Sequence, residues 1–213
     1  TPAESWAIAS KAKQITRKFT YSALSGQDRT SLEAGGLSSL VKGVAAQTLS
    51  AQDGLFCGNL TLSDMDKLYD AVNQYRKPSF FLGSNRTVRA YKTLLRAAGG
   101  NDAAMLQLPN FSAPVLTFEG VPVLRSEWIT NTEILTANGA GGPSSSAQAS
   151  SFYCVYSNFQ DGYGAFFNGP SVIDVVGPLN VSLADQVEYQ IIMRVGTVLK
   201  SNYAAAVLRG ITA

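Results

Sequence analysis

The sequence predicts an α+β protein, and three stretches carry that reading. Near the N-terminus, Ile8, Ala12, Ile15 and Phe19 recur at intervals of four, three and four, which lays one apolar stripe along a helix. In the middle come a helix-spaced run (Leu62, Met65, Leu68, Val72, Tyr75), a short apolar run at 79–82 and a second helix-spaced run (Val88, Tyr91, Leu94, Leu95, Ala98), the order of ordinary α/β packing. Toward the C-terminus, residues 187–199 read as one long extended segment. Val187, Tyr189, Ile191 and Met193 fall on one of its faces and Glu188, Gln190, Ile192 and Arg194 on the other. An Ala-rich element and the close Arg209-Gly210-Ile211 follow, delivering the terminus into a packed interior.

The first helix is expected from Pro2 to about Leu24. Thr1 and Glu4 form a capping box, and Pro2 loses only an amide that would be unpaired. Lys11, Lys13, Arg17 and Lys18 take the solvated side, and Gly26 ends the helix. From Gln27 to Gly58 the chain is rich in Gly, Ser and Ala and reads as a connector with short irregular elements. Thr61 caps the second helix and Pro78 stops it, while Asn85 is expected to cap the third, which ends at Gly99-Gly100. Residues 115–118 and 121–124 are two extended runs about a turn at Glu119-Gly120, with Pro122 suited to an edge or a strand start. Residues 137–150, nearly all Gly, Ser, Ala, Asn and Pro, predict a mobile surface loop open to proteolysis. A strand at 151–156, a turn at 161–164 and a short strand at 165–167 lead into the terminal segment.

Composition narrows the function. The 213 residues are 46% hydrophobic, enough for one substantial core or two small lobes. With 17 basic and 15 acidic residues the net charge is +2, which predicts no strong attraction to nucleic acid or an anionic membrane. No apolar run approaches the roughly 18–20 residues that cross a bilayer, and the start lacks a signal-peptide layout, so a soluble, unexported protein is expected. Cys57 and Cys154 are expected to be small buried thiols. The sequence has no histidine, which closes Ser-His-Asp and Cys-His catalysis and His-ligated zinc. Gly35-Gly36 lacks the Gly-Lys-Ser/Thr ending of a phosphate loop. What stays open for an enzyme is a carboxylate pair, Asp64 with Asp66 or Glu119 with Glu127. Residues two apart on a helix face different ways, however, and Glu119 lies in a turn.

The order of these elements resembles a major capsid protein of tailed bacteriophages, over nearly the whole chain. The resemblance rests on the long helix, the Gly-rich connector, Leu-Thr-Leu-Ser-Asp-Met-Asp-Lys-Leu at 60–68 and Pro-Ser-Phe-Phe-Leu-Gly-Ser-Asn-Arg-Thr at 78–87. It rests equally on Phe-Glu-Gly-Val-Pro-Val-Leu at 118–124, the Tyr-Cys-Val-Tyr and Asp-Gly-Tyr-Gly pair, and the terminal strand with Leu208-Arg209-Gly210-Ile211. It implies the shell-forming fold shared with encapsulins: a peripheral domain of long spine helix and elongated β-sheet, and an axial α/β domain. The expected division is 1–54 for spine helix and connector, 55–177 for most of the axial domain, and 178–213 for peripheral strands returning to the axial domain.

By the same resemblance the protein is a structural subunit that self-assembles into an icosahedral or prolate shell around a phage genome. Its partners would be copies of itself in pentamers and hexamers, with scaffold, portal or decoration proteins. DNA would be enclosed without sequence-specific binding, no membrane or cofactor would be involved, and the shell would assemble in the host cytoplasm and end in the virion. Ile8, Ile15, Phe19, Leu68, Val72, Phe81 and Ile191 are its expected structural core, with no catalytic, cofactor or metal residues. Relatives carry an N-terminal arm and extended loop that embrace neighbours, whereas this sequence opens at the helix cap. The chain as written is therefore expected to stop at monomers or small oligomers, and a version with those segments to form particles. An encapsulin-like compartment is the alternative, and a carboxylate-dependent hydrolase the remote one.

Overall fold

The computed structural model describes residues 2–25, 35–42, 47–51, 58–99, 105–106, 114–132, 149–158, 160–167, 173–180 and 187–212. In chain order its helices are α1 (Pro2–Ser25), α2 (Leu37–Lys42), α3 (Leu62–Asn73) and α4 (Asn85–Ala97). Its strands are β1 (Thr48–Ser50), β2 (Phe80–Gly83), β3 (Met105–Leu106), β4 (Val115–Phe118), β5 (Val121–Arg125), β6 (Ser150–Val155), β7 (Tyr163–Phe167), β8 (Asp174–Asn180), β9 (Val187–Ile192), β10 (Val195–Leu199) and β11 (Ala205–Ile211). The chain divides into two compact units, Leu40–Gly164 with Leu199–Ala213, and Thr1–Ser39 with Ala165–Val198. The divisions fall at 39/40, 164/165 and 198/199.

The larger unit is built on a seven-stranded mixed sheet in the order β1-β11-β6-β2-β5-β4-β3. The terminal Ala-rich element forms β11, which runs parallel to β1 and antiparallel to β6. Its small residues Ala204, Ala205 and Ala206 are fully buried, and Gly210 takes a φ of 84° where the register with β6 shifts. Only glycine adopts that conformation without strain, so the sequence Arg209-Gly210-Ile211 encodes a bulge. Strands β4 and β5 are joined by Glu119 (φ 50°) and Gly120 (φ 74°), the two-residue turn whose twist suits a hairpin. Pro122 pairs with Thr117 ahead of the point where β5 meets β2, so it sits at the strand start and not on a sheet edge.

One face of this sheet carries Phe81, Val121, Val123, Phe152, Cys154, Ala206 and Leu208, and receives Met65, Leu68 and Val72 of α3 with Val88 and Tyr91 of α4. Phe81 lies between Phe118 (centroids 5.7 Å) and Phe152 (5.9 Å), and Phe118 also meets Tyr69 and Tyr91 edge-on. Such ring geometry adds about 0.5–1.5 kcal/mol per pair to the gain from burial. Gly83 is required here, because a Cβ would stand 2.5 Å from the Phe152 ring. Only the middle of each helix stripe is sealed: Leu62, Tyr75 and Ala98, at the ends, are exposed.

Local chemistry sets the helix starts. Thr61 Oγ1 accepts from the Asp64 amide at 3.1 Å and the Asp64 carboxylate accepts from the Thr61 amide at 3.1 Å, a reciprocal capping box. For α4 the cap is Ser84, whose hydroxyl accepts from the Thr87 amide at 3.2 Å, and Asn85 is the first helical residue. That corrects the expected Asn85 cap by one position; both residues suit a cap, and β2 ends at Gly83 so that Ser84 takes the extended conformation. The expected loop at 137–150 also ends early. Ala149 and Ser150 are fully buried, with Ser150 Oγ donating to Ser84 Oγ at 2.9 Å, while 137–148 lie outside the described residues, as do Thr1, Gly26 and Cys57.

The smaller unit contains α1, the pair β8 with β9, and most of β7 and β10, whose Tyr163, Gly164 and Leu199 fall in the larger unit. α1 packs on β9, and its stripe Ile8, Ala12, Ile15 and Phe19 is half-buried, with Lys11, Lys13, Arg17 and Lys18 exposed. The extended segment expected over 187–199 is two strands with different partners, interrupted at Met193-Arg194. Tyr163 and Gly164, expected in a turn, begin β7. β8 shifts register against β9 between Val176 and Leu179, where Gly177 (φ 145°) and Pro178 leave the ladder. The Phe166 ring lies across Gly196 so closely that a Cβ there would stand 2.5 Å from it.

Candidate assembly surfaces

Of the carboxylates proposed as catalytic pairs, only Asp64 is tied into local structure. The Asp64 carboxylate is buried and accepts from both the Thr61 amide and, at 2.7 Å, the Thr61 hydroxyl, while Asp66 points to solvent; the two do not share a site. Glu119 sits exposed at the tip of the β4–β5 hairpin and Glu127 exposed in the turn after β5. Among the described residues no group of three or more Cys, Asp and Glu could hold a metal ion. Burial pushes the Cys154 thiol far up, away from the thiolate that makes a nucleophile. The Tyr91 phenol is pushed up to about 12 by burial and then by the Glu119 charge, and donates to the Thr117 carbonyl at 2.9 Å. Tyr163 is pushed up to about 12 by burial alone.

Buried hydroxyls join β2, α4 and β6. Ser150 Oγ donates to Ser84 Oγ (2.9 Å) or to the Thr130 carbonyl (3.1 Å), and Thr87 Oγ1 donates to the Ser84 carbonyl at 3.0 Å. No base stands among them, and the arrangement satisfies buried polar groups.

What the molecule offers instead is apolar surface on the smaller unit. Among its described residues only Ser22, Gly36 and Leu37 are buried. Trp6 is 74% exposed, Val175 48% and Val176 42%, and Tyr21 and Phe166 are exposed too. Of the residues expected to form the core, Leu68, Val72 and Phe81 are fully buried in the larger unit, whereas Ile8, Ile15, Phe19 and Ile191 are half-buried in the smaller one. The sequence reading passed over Trp6, Val175 and Val176; the apolar Val-Val pair beside Gly177-Pro178 was the available signal. Leu62, Tyr75, Met105 and Tyr203 are exposed on the larger unit as well, but there they border a sealed core, whereas almost none of the apolar side chains described in the smaller unit are sealed.

No protein-family model matches the sequence, and no curated protein does. Solved structures that share its fold include two shells. The encapsulin SrpI of Synechococcus elongatus PCC 7942 matches with a TM-score of 0.63 and 19% identity, over 84% of this chain and 57% of that one. The capsid of a native GTA particle, determined with C5 symmetry, matches with a TM-score of 0.61 and 19% identity, over 98% of this chain and 65% of that one. The chain thus spans less than two thirds of the length of either, and its fold is the one these two shell proteins share.

Proposed function

We propose that the chain is a structural subunit of a viral capsid, one that self-assembles into a closed icosahedral or prolate shell around a genome. The observation that carries this reading is the smaller unit's half-covered apolar surface, in a fold shared with two shell proteins. A unit that buries almost nothing completely gains its remaining stabilisation, at roughly 25 cal/mol per Å² of apolar area, when identical neighbours cover it. In this reading the smaller unit is the peripheral domain and the larger the axial domain, and assembly takes place in the host cytoplasm. Scaffold or portal proteins join the shell during that assembly. No turnover is involved in this reading, in keeping with Asp64 held in its cap and the Cys154 thiol pushed up by burial.

A second reading, an encapsulin-like compartment, draws on the equal likeness to the encapsulin. The contents separate the two: nucleic acid in a capsid, protein cargo in a compartment. The test is light scattering and cryo-electron microscopy of the product of the whole reading frame. Closed particles with five-fold vertices are expected. A product that stays monomeric across salt and protein concentration overturns the shell reading.

A further inference from the structure

Helices α3 and α4 cover the same core of the larger unit, yet their outer surfaces carry opposite charge. α4 has four basic residues and no acidic one. Arg86 is occupied, donating to the Ile211 carbonyl at 2.8 Å. The other three, Arg89, Lys92 and Arg96, fall within an arc of about 60° at 100° per residue and form one cationic flank, with Arg89 and Arg96 exposed. On α3, Asp66 and Asp70 are one turn apart, about 40° round the axis, and both are exposed; the exposed Lys67 lies about 60° beyond Asp70, so the flank stays net acidic. Asp64, the third acid, is taken by the cap. Among the described residues no ion pair involves any of these five side chains, although Arg76–Asp161 and Arg194–Asp174 pairs form elsewhere.

We infer that the Arg89-Lys92-Arg96 flank of one subunit docks on the Asp66-Asp70 flank of a second copy of this chain. Two complementary flanks on one unit make a heterologous contact, which closes into a ring when the rotation between copies permits. Like flanks repel, so the same charges oppose a face-to-face pairing of identical surfaces and set the direction of the ring. Exposed charges of this kind contribute modestly to affinity but steer encounter and fix register. The larger unit needs only that, since its core is already sealed.

The inference rests on the proposed shell function, and the test separates the two. The whole-reading-frame product is compared with Arg89→Glu plus Arg96→Glu, with Asp66→Lys plus Asp70→Lys, and with all four substitutions together. Each reversed pair alone is expected to raise the concentration needed for assembly about tenfold at low salt, with subunit melting unchanged, and the fourfold exchange to restore it. Parental assembly in either reversed pair, or no rescue in the fourfold variant, overturns the inference while leaving the shell reading intact. Particles of the Arg89→Glu, Arg96→Glu variant that form normally but hold less nucleic acid would assign the cationic flank to the genome and equally overturn it. A parent that never assembles removes the shell reading and this inference with it.

Discussion

In the larger unit Phe81 sits at zero exposure between Phe118 and Phe152, whereas in the smaller unit Ile15, midway along an equally regular apolar stripe, stays half covered. The difference lies in what each stripe meets. α3 and α4 both lie over a seven-stranded sheet whose facing side is continuous from Leu208 to Val121, so every apolar residue at mid-helix finds partners on several strands. α1 meets β9, a strand of a two-stranded ribbon, and a ribbon of that width cannot enclose a helix. One unit seals a core through its own packing, and the other leaves its apolar stripe half covered.

The contrast is most sharply tested by removing a sealed ring. Phe81→Ala should cost about 3–5 kcal/mol in denaturant melts of the dissociated subunit, the range for deleting a buried aromatic with incomplete collapse. A loss below 1 kcal/mol would mean that the larger unit is no better packed than the smaller. Alkaline unfolding comes next. Tyr91 ionises near 10.0 when unfolded and near 12 in the fold, so the stability it contributes is complete below pH 10 and is lost as pH rises toward 12. That loss should amount to about 2 kcal/mol, and Tyr91→Phe should flatten the pH dependence over that interval in thermal melts. Thr61→Ala removes one half of the capping box and should lower stability by about 1 kcal/mol, while Thr61→Ser should be close to neutral. A small effect on the free subunit is also expected for Ile15→Asp, about 1 kcal/mol or less, because the new carboxylate can reach water from a half-covered site. Its effect should appear in assembly instead: particle yield by light scattering should fall sharply. A free subunit destabilised by Ile15→Asp as strongly as by Phe81→Ala would erase the distinction between the units.

Much of the fold was legible because local rules and tertiary packing agree. The α1 and α3 spans follow from their four-and-three spacing, the Thr61 cap from its Asp64 partner, and the Glu119-Gly120 hairpin from the need for positive φ at both turn residues. The separation of Asp64 from Asp66 was also written in the chain, since Asp64 serves as a cap and Asp66, two residues on, faces elsewhere. The fold class needs no more than these elements in this order.

Depth of burial and partner choice were settled only by the tertiary structure. Residues 187–199 alternate without interruption, and period-two alternation says nothing about a break at Met193-Arg194 or about which strand lies alongside; β8 and β7 decide that from a distance in sequence. Ser150 looks like the tail of a polar loop but is sealed because β6 must reach Ile211 and Ser84 must find a hydrogen-bond partner. Ile15 and Leu68 stand in stripes of equal regularity, and only the width of the sheet beneath each decides that one is half covered and the other fully buried. Periodicity specifies which side of an element is apolar, but how much of that side is covered depends on residues far away in the chain.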